Sequence, residues 1–233
     1  MLRVEGLDAF YGRAQILRGI TFDVARGEVL AMLGRNGAGK STTLKALIGV
    51  VRPAAGSIRL SGQEVAGWEP HRIARAGLGW VPEDRRVFAD LTVMENLSVG
   101  RQPPRPGAAP WTPERLFALF PNLGRMQDRP GARMSGGEQQ MLTIARTLMG
   151  NPRLILLDEP GEGLAPVIIE QMATAILALK AEGVTVLVAE QNLRFAASVA
   201  DRAVLVEGGR IAWTGTMAAL LKDAAAQAAY LAV

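Results

Sequence analysis

Val29-Leu30-Ala31-Met32-Leu33-Gly34-Arg35-Asn36-Gly37-Ala38-Gly39-Lys40-Ser41-Thr42 is the stretch on which the fold turns. Five apolar residues, Val29 to Leu33, read as a buried strand. Gly34 to Gly39 is a glycine-rich loop, and Ser41 to Val50 reads as a helix with Leu44, Leu47 and Ile48 on one face. The loop fits G-x-x-x-x-G-K-[ST], and it has the strand before it and the helix after it that this pattern requires. Glycines let consecutive backbone N–H groups turn inward around a phosphate without a Cβ in the way. The helix opening near Lys40 adds its dipole to that field. Gly34, Arg35, Asn36, Gly37, Ala38 and Gly39 thus form a phosphate cradle, with Thr42 just beyond it. Lys40 is placed to reach β- and γ-phosphates, and the Ser41 hydroxyl to ligate Mg²⁺. The bland alternative, a glycine-rich turn meeting a lysine by chance, is disfavoured by that strand–loop–helix setting.

Working outward, residues 2 to 33 read as β-structure, with Ile20, Phe22 and Val24 alternating before a turn at Arg26-Gly27. A second β stretch, Ser57 to Leu60, ends at Ser61-Gly62. The character changes from about Arg85. Leu91 to Leu97 looks helical, Thr112-Pro113 opens a helix to Phe120, and another runs from Ser135 to about Met149. Between them lies a proline-rich loop, 103 to 110, to which the sequence attaches no function.

An α/β rhythm then resumes: strand Leu154 to Leu157, helix Val167 to Ala181, strand Val184 to Ala189, helix Leu193 to Ala200. A hairpin from Ala203 to Ala212 turns at Gly208-Gly209, and Met217 to Tyr230 reads as one closing helix. The expectation is a single α/β domain over residues 1–233. Its core, 1–83 and 151–233, is a mostly parallel sheet of P-loop NTPase (RecA-like) type with an N-terminal antiparallel β-subdomain; a helical lobe is inserted at about 84–150.

Two more segments carry chemistry. Leu154-Ile155-Leu156-Leu157-Asp158-Glu159 is a buried-strand pattern ending in two acids. Ligands in open α/β sheets sit at the carboxyl ends of strands, which places both acids beside the glycine loop. Asp158 is expected to hold Mg²⁺ and Glu159 to polarise the attacking water. In Met134-Ser135-Gly136-Gly137-Glu138-Gln139-Gln140, Ser135 and Glu138 have capping-box spacing. Two glycines in a first helical turn are unusual, since each weakens a helix by about 1 kcal/mol. They make sense where a phosphate approaches the backbone. A second such terminus in a chain with one nucleotide loop suggests service to a neighbouring subunit's nucleotide, hence a dimer.

Composition narrows the rest. There are no cysteines and one histidine, His71, which excludes disulfides, thiolate metal sites and multi-imidazole sites. No apolar run approaches the roughly 20 residues that cross a bilayer, and the N-terminus lacks a signal-peptide stretch, so a soluble chain, at most peripheral to a membrane, is expected. The net charge of +4 is spread along the chain and points to no partner, nucleic acid included.

In this order and approximate spacing, the loop Gly34–Ser41, the Ser135-Gly136-Gly137-Glu138 signature and the Asp158-Glu159 pair resemble the ABC transporter ATP-binding subunits over essentially the whole chain. The resemblance implies ATP hydrolysis with Mg²⁺ and adenine stacked on Tyr11. It also implies a nucleotide-sandwich dimer with a second ATP-binding subunit, whether copy or paralogue. Integral-membrane permeases bind that dimer, and a periplasmic solute-binding protein acts indirectly. The chain is then cytoplasmic, on the inner face of the cell membrane.

Three positions depart from the commonest ABC pattern. Glu83 replaces a glutamine that senses the γ-phosphate and Mg²⁺, Gln191 replaces a histidine, and Ala165 replaces an aspartate. Glu83 can still ligate Mg²⁺, and Gln191 can donate an amide hydrogen bond to a γ-phosphate oxygen. With Arg85-Arg86-Val87-Phe88, Gln191-Asn192 and Leu164-Ala165-Pro166, these positions look like the subfamily that powers uptake of branched-chain amino acids, or of relatives such as urea or short amides. A stand-alone P-loop kinase or GTPase has no use for the Ser135–Glu138 helix. ABC modules acting on DNA or the ribosome come in tandem or carry long coiled-coil insertions, which this chain lacks. A module that binds ATP without hydrolysing it is the third rival.

Overall fold

The computed structural model describes residues 1–107 and 109–231; Ala108, within the proline-rich stretch, and residues 232–233 lie outside the described residues. The chain opens with β1 (Leu2–Tyr11), β2 (Ala14–Val24), β3 (Val29–Leu33) and α1 (Lys40–Leu47). β4 (Ala55–Leu60) and β5 (Gln63–Glu64) precede α2 (Pro70–Ala76) and β6 (Leu78–Val81). A helical stretch follows: α3 (Val93–Gly100), α4 (Pro113–Leu119), α5 (Pro121–Gly124) and α6 (Gly136–Leu148). The alternation then resumes with β7 (Leu154–Asp158), α7 (Pro166–Ala181), β8 (Thr185–Glu190) and α8 (Leu193–Val199). β9 (Arg202–Glu207), β10 (Arg210–Thr216), α9 (Met217–Lys222) and α10 (Ala224–Tyr230) complete it.

Two sheets form. β2-β1-β4-β5 is antiparallel; β10-β9-β3-β8-β7-β6 is parallel except for its edge strand β10. Every residue of β3, β7 and β8 is buried, because both faces of the parallel sheet are covered. Side-chain alternation decides which core each residue feeds. Val29, Ala31, Leu33, Leu157 and Val188 point to the helical side, against Leu142 of α6 and Ile176 of α7. Leu30, Met32, Leu156 and Leu187 point to the other side, against Leu44 and Leu47 of α1 and Leu7 and Ile20 of the antiparallel sheet. The parallel sheet is therefore clamped between helices and a second sheet. The carboxyl ends of β3, β7 and β8 emerge side by side.

The structure departs from the sequence reading at several places, β5 and α5 among them. Met217 to Tyr230 is broken at Asp223, whose side chain accepts from Ala226 N at 2.9 Å and starts α10. α2 and β6 are absent from that reading; β6 is only four residues long, and Leu78-Gly79-Trp80-Val81 has little alternation to reveal it. The proline-rich loop is fastened to the core. The Arg105 guanidinium donates to the carbonyls of Asn151 (2.6 Å), Arg75 (2.7 Å) and Ala74 (3.0 Å), and Trp111 N donates to Asn151 Oδ1 at 2.8 Å.

Candidate functional site

α1 begins directly from the glycine loop. Its N-cap, Gly39, has φ 113°, ψ 3°, and no side chain caps the helix. That left-handed backbone suits glycine, and a helix start without a capping side chain leaves its first amides for an outside acceptor. Lys40 is buried, and its ammonium donates to Gly34 O at 2.8 Å and Arg35 O at 3.2 Å. It also lies 3.1 Å from Glu159 Oε1. Ser41 Oγ donates to Asp158 Oδ1 at 2.8 Å. Asp158, which ends β7, and Glu159 just after it thus meet the first two residues of α1.

These groups line a cleft of about 360 Å³. Tyr11 and Ile16 stand at one end, Asn36, Gly37 and Gly39 to Thr42 along the wall, and Glu83, Glu159 and Glu162 opposite. Tyr11, at the edge of the cleft, is 48% exposed. Ile16 and Glu162 were not read from the sequence as site residues. Glu162 carries a legible sign, an acid three residues beyond Glu159; Ile16 carries none.

The cleft holds more acid than base. Burial pushes the Asp158 carboxyl up to about 6, with Glu159 and Glu83 adding to the rise against the Ser41 hydrogen bond and Lys45. Burial, Glu159 and Glu83 likewise raise Glu162. A divalent cation beside Ser41 and Asp158 reverses the sign of that field, so the residues fit Mg²⁺. Among the described residues, no three His, Cys, Asp or Glu side chains form a metal cluster. An Mg²⁺ here would take a few protein oxygens and complete its shell with water and phosphate oxygens.

Glu83 sits in a strained turn: Arg85 and Arg86 have φ 60° and 50°. α6 holds this turn, Thr143 Oγ1 donating to Arg85 O and Arg146 to Arg86 O, each at 2.6 Å. Glu159 itself has φ 46°. Ala165 is the N-cap of α7, with no side-chain cap bond where the usual aspartate could supply one. Gln191, half-buried just past β8, is outside the residues that line the cleft.

The Ser135–Glu138 segment is also outside that lining. It forms a complete capping box: Ser135 N and Oγ donate to Glu138 Oε2 at 2.7 and 2.9 Å, and Glu138 N donates to Ser135 Oγ at 3.4 Å. The sequence reading assigned Gly136 and Gly137 to phosphate approach alone. The structure adds a packing reason. A Cβ on Gly136 would come within 2.6 Å of the Arg85 guanidinium, and one on Gly137 within 2.9 Å of Ile168.

A glycine loop at a helix start, a lysine and hydroxyl beside it, and two acids from the neighbouring strand define a P-loop protein built to hydrolyse a nucleoside triphosphate. Residues 17–162 match the ABC transporter family, and the chain belongs to it, as an ATP-hydrolysing transporter subunit. The high-affinity branched-chain amino acid transport ATP-binding protein BraG of Pseudomonas aeruginosa is 44% identical over 99% of both chains. The lipopolysaccharide export system ATP-binding protein LptB of Acidithiobacillus ferridurans is 33% identical over 99% of this chain and 96% of its own. A nucleotide-free ATP-binding cassette from an ABC transporter superposes with TM-score 0.84 at 27% identity, covering 97% of this chain and 95% of that one. Cassettes of this family form dimers and work with membrane permeases. Among the described residues, no helix is long and apolar enough to cross a membrane.

Proposed function

We propose that this subunit drives import of branched-chain, hydrophobic amino acids from the cytoplasmic face of the cell membrane. The observation that carries the solute class is the end-to-end likeness to BraG, 44% against 33% for the lipopolysaccharide exporter subunit. The turns at Glu83 to Phe88 and at Gln191-Asn192 support the same branch.

The chemistry follows from the cleft. Tyr11 stacks on adenine, and the amides of residues 34 to 42 hold the phosphates. Lys40, which donates to two loop carbonyls and faces Glu159, turns its ammonium to the β- and γ-phosphates. Ser41, Asp158 and Glu83 hold Mg²⁺, which neutralises phosphate charge when bound. Glu159 accepts a proton from the attacking water as its oxygen bonds to the γ-phosphorus and the bond to the ADP oxygen breaks. Gln191 donates its amide to a γ-phosphate oxygen. The acids that crowd the cleft repel a bare triphosphate, so cation and lysine are both needed.

Ser135, Gly136, Gly137 and Glu138 serve the ATP of a partner ATP-binding subunit, which explains their place outside this chain's own cleft. ATP binds the closed dimer in preference to the open one and thereby drives closure. A groove of about 690 Å³ between α2, β6, α3 and α6, with Phe88 and Val99 exposed, accepts the permease. A periplasmic binding protein presents the solute to that permease.

Glu159→Gln tests the reading. ATP turnover should fall at least 100-fold while ATP-dependent dimerisation, followed by light scattering, persists. Leucine uptake by cells carrying the substituted subunit should stop. Turnover that survives removes Glu159 as the base, and unchanged leucine uptake removes the assigned solute class.

A further inference from the structure

The turn that carries Glu159 is strained and needs support. A non-glycine residue at φ 46° costs on the order of 1 kcal/mol and persists only where its surroundings hold it. The support comes from the end of β8. Glu159 N donates to Ala189 O at 2.9 Å, and two residues further on Gly161 lies against the Glu190 carboxyl, whose Oε1 would stand 3.6 Å from a Cβ added to that glycine. The same carboxyl accepts from Asn192 N, at Oε2, at 3.3 Å. One buried side chain thus sits between the turn of the base, against Gly161, and the turn of Gln191, where it holds the Asn192 amide.

Glu190 is only 5% exposed, and among the described residues the structure records no ion pair to it. Its Oε1 is buried without a hydrogen-bond partner, close to the Gly161 Cα, where an added Cβ would stand 3.6 Å away. A buried, unpaired carboxyl is costly and requires a reason. Val186 to Ala189 of β8 are hydrophobic, and a leucine or valine at 190 would fill the same buried position. What they cannot do is hold the Asn192 amide and also set a polar oxygen against Gly161 of the base's turn.

We propose that Glu190 is a positioning residue for hydrolysis, its carboxyl tying the Glu159–Gly161 turn to the Gln191–Asn192 turn so that base and amide face the same phosphate. The inference rests on the reading of Glu159 as the base. Glutamine keeps one acceptor oxygen, enough for the Asn192 amide, in a side chain of the same shape, so it should suffice.

The test measures steady-state ATP turnover of the full-length subunit carrying Glu190→Met, Glu190→Ala or Glu190→Gln, with Glu159→Gln as control. Glu190→Met keeps the volume and so avoids the cavity that could unfold Glu190→Ala. Both are expected to lower kcat about tenfold or more, with the KM for ATP within about twofold, since a misplaced catalytic group costs rate rather than binding. Glu190→Gln should stay within about threefold of the parent. A Glu190→Met protein with parental kcat overturns the proposal, as does a Glu190→Gln protein as slow as Glu190→Met. If Glu159→Gln turns over normally, the assignment of the base fails instead, and the two failures are told apart.

Discussion

Replacing Glu190 by Gln should remove a pH dependence from the stability of the nucleotide-free subunit. Burial is the main cause that pushes this carboxyl from 4.5 up to about 7; the charge of Glu159 adds to it, and the amides of Asn192, Gly161 and Gln191 oppose it. The folded chain therefore holds this proton more tightly than the unfolded chain does. The stabilisation is fully present below pH 4.5 and is lost as pH rises through about 7. At about 1.4 kcal/mol per pH unit, the loss comes to about 3 kcal/mol by pH 8. Glutamine does not titrate. Urea unfolding of both proteins at several pH values from 4.5 to 8 reads the effect, and taking the difference between them cancels the groups they share, Asp158 and Glu162 among them. The parent should lose about 3 kcal/mol relative to Glu190→Gln across that range. A difference that stays constant to within about 0.5 kcal/mol would show that the carboxyl is charged in the folded chain and would refute the reasoning.

Lys40→Ala removes an ammonium that holds two loop carbonyls and faces Glu159. ATP affinity should drop at least about 100-fold in a fluorescent-nucleotide titration, and retained micromolar binding would contradict the cradle. Asn151→Ala removes the acceptor for Trp111 N and the donor to Gln102 O, and puts a Cβ-only residue at φ 51°. A loss of about 2–4 kcal/mol in urea unfolding is expected; a change below about 0.5 kcal/mol would mean that the proline-rich loop is not anchored there.

Short-range spacing made the central elements legible. Val29 to Leu33, the six loop residues and Lys40-Ser41 are contiguous, so one reading captured strand, cradle and helix start together. Leu154 to Asp158 was legible for the same reason. β6 and α2 were not, because a four-residue strand with glycine second and a seven-residue helix without a side-chain cap leave no periodic signature. α10 was hidden because alanine-rich sequence favours helix on both sides of Asp223, and only the cap at Ala226 marks the break.

The sequence by itself determined which groups are available: a glycine loop that can face a phosphate, a lysine, a hydroxyl, and acids at a strand end. Those follow from backbone freedom and from side chains a few positions apart. Tertiary structure alone decided which of them touch. Ser41 reaches Asp158 across 117 positions, α6 braces the Glu83 turn through Thr143 and Arg146, and Gly137 lies against Ile168. It alone also decided that Glu190, written like any other acid after an apolar run, sits out of water with one oxygen unmatched. Burial and long-range proximity depend on how distant strands stack, and linear order does not record that.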